Sequence, residues 1–122
     1  MLGDTFPERA ATGSFRRTLF DDPTRFGLPS VSIAANAGHM SAGPFEGMFE
    51  LSNFFSSGIV DGFDLRTSTG WKTGERVGIT HRKLEQILSN PTSSLGGIQR
   101  PLFDATEELD TISACHLFRA QW

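Results

Sequence analysis

Gly74-Glu75-Arg76-Val77-Gly78-Ile79-Thr80-His81-Arg82-Lys83-Leu84-Glu85-Gln86-Ile87 is the segment on which the fold of this chain turns. Its second half predicts a helix from Thr80 to about Ser89. Thr80 can accept a backbone N–H as an N-cap. Leu84, Ile87 and Leu88 share one face, and Asn90-Pro91 supplies the stop. The first half is open to two readings. Glu75 to Ile79 can form a short strand that turns into the helix, or it can close a preceding helix with Gly78 at the bend.

The flanking sequence favours the strand. In the run Ile59-Val60-Asp61-Gly62-Phe63-Asp64-Leu65-Arg66-Thr67, Phe63 and Leu65 share one face while Asp64 and Arg66 share the other. Asp61-Gly62 suits a tight turn or a bulge. Further upstream, Phe49 and Leu51 alternate with Met48 and Glu50. Val31 and Ile33 alternate with Ser30 and Ser32 before Asn36-Ala37-Gly38 breaks the run. Thirteen Gly and six Pro add many turns. The expected fold is therefore mainly β with one or two short helices, as a small β-barrel or sandwich spanning 31–122.

Residues 1–30 read instead as an extended N-terminal arm. Pro7, Pro23 and Pro29 interrupt any long helix, and Phe6, Phe15, Phe20 and Phe26 are spaced among four acids and four arginines. Large apolar groups on a broken segment need shelter. These four, with Trp122, are candidate anchors between subunits; wrapping of the arm on its own domain is the other reading. At the C-terminus, residues 104–119 fit either helix or strand. Asp104-Ala105-Thr106-Glu107 resembles a capping box with Leu109, Ile112 and His116 at helical spacing behind it. Yet Ile112, Ala114, His116 and Phe118 also alternate. A short helical turn near 104–109 followed by an extended segment from 111 is the reading taken.

A chain of 122 residues fits one domain of ordinary size. A net charge of −3 gives no bulk attraction to nucleic acid or acidic membranes. The lone Cys115 forbids an intramolecular disulfide. No apolar run approaches the roughly 20 residues that span a bilayer. The N-terminal residues lack the basic-then-apolar layout of a signal peptide, and Asn90-Pro91-Thr92 carries the proline that blocks glycosylation. These features read as a protein made and used without secretion, with no membrane partner.

No self-contained catalytic or cofactor centre is legible. Gly70-Trp71-Lys72-Thr73 ends like a phosphate loop, but Trp71 stands where close backbone approach needs glycine. Cys115 and His116 are consecutive and do not form a dyad with each other. His39, His81 and His116 show no close ligand spacing, although distant histidines can converge on a metal. A small enzyme with a dispersed site stays open on these grounds; the primary expectation is no enzyme and no cofactor.

One motif is more specific. Residues 73–89 resemble the helix-turn-helix signature, with Gly74 at the small position, Gly78 at the turn, and Val77, Ile79, Leu84 and Ile87 at the buried positions. Thr80, His81, Arg82 and Lys83 would then face a DNA groove and backbone. Arg66, Lys72, Arg76, Arg82 and Lys83 make the local charge favourable. This reading needs a third helix to cover the apolar face.

Two fragments resemble the small head–tail joining (neck) proteins of lambda-like tailed phages: Leu19-Phe20-Asp21-Asp22-Pro23 and Ala114-Cys115-His116-Leu117-Phe118. The resemblance implies a compact β-barrel with a mobile arm, assembled in the host cytoplasm as a ring of copies within the virion. The expectation is thus a structural virion subunit whose partners are copies of itself and neighbouring virion proteins. The alternative is a small helix-turn-helix DNA-binding regulator using residues 73–89, with nucleic acid as its partner.

Overall fold

The computed structural model describes residues 1–55 and 62–122. Among them the chain forms six α-helices and one two-stranded sheet. A β-barrel or sandwich is therefore excluded, including the barrel implied by the phage resemblance. The chain divides into two compact units, Met1–Met40 and Ser41–Trp122.

The first unit contains helix α1 (Phe15–Asp21) between two single 3-10 turns, Pro7–Arg9 and Thr24–Phe26. Leu19 and Arg16 are its buried helical residues. The Arg16 guanidinium donates to the carbonyls of Gly3 at 3.0 Å and Gly38 at 2.8 Å, so one side chain ties both ends of the unit to the helix. The strand expected around Val31 is replaced by a tight reversal, in which Ser32 and Ala35 exchange backbone hydrogen bonds.

The second unit begins with α2 (Pro44–Phe55). Here the four-residue alternation at 48–51 misled: over twelve residues the buried pair Phe45 and Met48 is spaced by three, with Leu51 continuing the packed face. Proline at the first helical position suits the entry. Of the alternating run 59–67, residues 59–61 lie outside the described residues. Leu65–Thr67 is a 3-10 turn, because the Asp64 side chain accepts the Arg66 N–H at 2.9 Å and bends the backbone out of a strand.

Helix α3 (Thr69–Arg76) follows at once, with the Ser68 hydroxyl accepting the Trp71 N–H at 3.3 Å. The strand expected at Glu75–Ile79 is thus the end of a helix and its turn. Helix α4 (His81–Ile87) starts from Thr80, as the sequence predicts. Strands β1 (Thr92–Leu95) and β2 (Ile98–Pro101) form an antiparallel hairpin. Its two-residue tip, Gly96-Gly97, has positive φ at both positions, the requirement of the tight turn that matches strand twist.

A short α5 (Leu102–Ala105) and a longer α6 (Thr111–Gln121) complete the unit. Asp104 lies inside α5, so it caps nothing; the working cap is Asp110, whose carboxylate accepts the N–H groups of Ile112 and Ser113. The extended segment expected from 111 is helical because two of its buried residues, Ala114 and Cys115, lie four and three positions before the third, Phe118, as one helix face requires. Phe45, Met48, Trp71, Leu84, Ile87, Leu102, Cys115 and Phe118 share one core. The rings of Phe45 and Phe118 meet edge-on at 5.8 Å. Each such side chain, fully buried, stabilises by about 1.5–3 kcal/mol.

Candidate functional site

The junction between α3 and α4 is a defined bend. Gly78 takes the left-handed conformation, φ +84°, which a side chain would strain. Its N–H donates to the Glu75 carbonyl and the Ile79 N–H reaches back to the Gly74 carbonyl, both at 2.9 Å. These two bonds satisfy carbonyls that the end of α3 leaves open. Arg119 from α6 adds a guanidinium donor to the Val77 carbonyl at 2.6 Å.

The two helices close tightly at Gly74. A Cβ there would meet Leu84 Cδ2 at 2.5 Å, so a side chain at this position would force Leu84 to shift. Gly74 sits at the close approach, Gly78 at the turn, and Ile79, Leu84 and Ile87 are buried, whereas Val77, expected among the buried positions, is only half-buried. Gly70 gives α2 the same close approach, because a Cβ would meet Met48 Sδ at 2.7 Å. Helices α2 and α6, the two segments that the alternation disguised, pack against α3 and complete the core around it.

With Leu84 and Ile87 turned inward, His81, Arg82, Glu85 and Gln86 are the exposed side chains of α4. Their engagements differ. Glu75 Oε1 accepts the Trp71 indole N–H at 3.0 Å and lies 2.6 Å from His81 Nε2. That carboxylate fastens the first residue of α4 to α3. Glu85 lies 3.8 Å from Arg66. Lys83 is half-buried, with Nζ 5.9 Å from the Phe118 ring. Thr80 is spent as the cap, accepting the Lys83 N–H at 3.4 Å.

Two acids of the α3–α4 segment, Glu75 and Glu85, thus face cationic or imidazole partners. Lys72, Arg76 and Arg82 are exposed and make no ion pair among the described residues. Four other acids of this unit cluster in the sequence at Asp104, Glu107, Glu108 and Asp110. A net charge of −3 conceals this separation along the sequence. Of the four residues expected to face DNA, Arg82 is exposed and unpaired, His81 is exposed but held by Glu75, and Thr80 and Lys83 are committed within the chain. Gln86, one helical turn beyond Arg82, is exposed on the same face of α4.

The candidate anchors also occupy definite places. Phe6, Phe15 and Phe26 are 36%, 49% and 45% exposed, while Phe20 is half-buried. Trp122 is half-buried against its own chain, stacked on Phe118 with its indole N–H donating to the Pro91 carbonyl at 3.0 Å.

Other candidate chemistry is dispersed. Trp71 and Lys72 lie within α3, so no phosphate-type loop forms there. Cys115 is fully buried, and burial pushes its thiol up, away from the reactive thiolate. No group of three or more His, Cys, Asp or Glu that could hold a metal occurs among the described residues. A groove of about 470 Å³ runs beside α2 and the start of α3 past Met48, Leu51, Phe63 and Thr69, and among the described residues its lining holds no titratable side chain. No helix among the described residues is long and apolar enough to cross a membrane.

In chain order α2, α3, the Gly78 turn, α4 and the β1–β2 hairpin follow one another. No protein-family model, curated protein or solved structure matches this chain.

Proposed function

We propose that the chain binds duplex DNA through the exposed face of α4. What supports this is the bend between α3 and α4: a left-handed Gly78, a bare Gly74 under Leu84, and the exposed cations Lys72 and Arg76 on α3 and Arg82 on α4, which make no ion pair among the described residues. A helix packed so closely by its inner face presents its outer face as a rigid rod, of the width a major groove admits. The cations supply the phosphate attraction that positions such a helix. Arg100, exposed on β2, extends the positive character onto the hairpin. The role is that of a small DNA-binding regulator.

The test is equilibrium binding of a mixed-sequence duplex followed by fluorescence anisotropy at increasing salt. Binding at low salt that weakens steeply as salt rises is expected, because each neutralised phosphate releases counterions. Arg76→Ala should weaken affinity and make the salt dependence shallower. Absence of binding at low salt removes this reading.

A further inference from the structure

We propose that Arg82 and Gln86 are the two base-reading side chains of α4, taking a guanine and an adenine about two base steps apart in the major groove. This rests on the DNA-binding reading above and states what that surface recognises. It follows from subtracting the polar side chains of α4 that the chain already uses. His81 is held 2.6 Å from Glu75, and Glu85 is drawn towards Arg66. The Ser89 hydroxyl, just beyond the helix, donates to the Gln86 carbonyl at 2.8 Å. Lys83 leans over Phe118, and the Thr80 hydroxyl caps the helix.

Arg82 and Gln86 remain. Both are exposed, and neither side chain has a partner among the described residues. Residues four apart lie one above the other on a helix, with Cβ atoms about 5–6 Å apart. Successive bases on one strand rise about 3.4 Å, so the pair spans about two steps. The chemistry of each end is distinct. A guanidinium fork matches O6 and N7 of guanine, both acceptors. A carboxamide gives one donor and one acceptor, matching N7 and N6 of adenine. Buried Leu84 and Ile87 on the opposite side of α4 fix the rotation of the helix, so the two side chains point outward together.

Selection of the full chain on a randomised duplex pool, with sequencing of bound DNA, tests this. The wild type should enrich a guanine and an adenine at fixed spacing. Arg82→Ala should lose discrimination at the guanine by about 5- to 100-fold while keeping the adenine, and Gln86→Ala should do the reverse. Lys72→Ala should lower affinity evenly across sequences. Both reading positions are exposed, so unchanged thermal midpoints will show that the variants are folded. Binding without base preference, or a preference that neither variant alters, overturns this assignment and leaves the DNA-binding reading standing. Failure to bind any duplex overturns that reading itself.

Discussion

Only one of the two units fully buries phenylalanine, although Phe49 and Phe54 of that unit are exposed as well. In Ser41–Trp122, Phe45 and Phe118 are fully buried and meet edge-on. In Met1–Met40, Phe6, Phe15 and Phe26 are each more than a third exposed. Arginine side chains attend the rings there: Arg9 lies 4.4 Å from Phe6, Arg17 5.8 Å from Phe20 and Arg25 5.7 Å from Phe26. Such contacts contribute about 0.5–1 kcal/mol each at exposed sites, well short of full burial. An aromatic residue therefore indicates a core only where regular elements converge to enclose it.

Leu84→Ala should break the second unit most. Leu84 is fully buried between α3 and the core, and its loss should cost about 2–5 kcal/mol in denaturant unfolding. Next comes Gly78→Ala, which places a side chain at φ +84° and should cost about 1 kcal/mol. A milder effect belongs to Asp110. Its carboxyl is held below the ordinary Asp range by the Ser113 hydroxyl first and then by the Ser113 N–H, which together with the Ile112 N–H outweigh an opposing desolvation. The folded chain binds that proton less readily than the unfolded chain. The cap's contribution is therefore complete above the unfolded value of about 3.9 and fades as pH falls through the lower folded value. Asp110→Ala should lower the thermal midpoint at pH 7, with the gap to wild type closing below about pH 4. Phe26→Ala should change stability least, by about 0.5 kcal/mol. A loss matching that of Leu84→Ala would erase the contrast between the units.

The candidate site was more legible than the fold around it. Thr80, Gly78, Gly74 and the Leu84–Ile87 spacing each carry a local requirement, a cap, a left-handed turn, a close approach and a buried face, that one segment can express alone. Helices α2 and α6 were hidden because their apolar residues also satisfy a period of two over short windows. Met48-Phe49-Glu50-Leu51 alternates, as do Ile112, Ala114, His116 and Phe118. Which of those residues are buried is settled by partners distant in the chain: Met48 by Gly70, Phe118 by Phe45. The cap of α6 was nonetheless visible, since Asp110 precedes Ser113 by three residues. The more conspicuous Asp104-Ala105-Thr106-Glu107 drew the reading away from it. In the exposed face of α4, sequence could nominate Arg82, but only the bonds of Thr80, His81 and Glu85 to their neighbours separate it from side chains already occupied.

Asn90 has a consequence for how this chain could be altered. It adopts φ +48° at the end of α4, and its side-chain oxygen accepts the Phe103 N–H at 2.8 Å. Departure from one helix and arrival at the next are thereby stapled together, and the intervening hairpin becomes a closed excursion. Its length can vary with little entropic penalty, since lengthening an already pinned loop costs free energy only logarithmically. The tip at Gly96-Gly97 is accordingly the place to graft a longer ribbon while the helical scaffold keeps its shape.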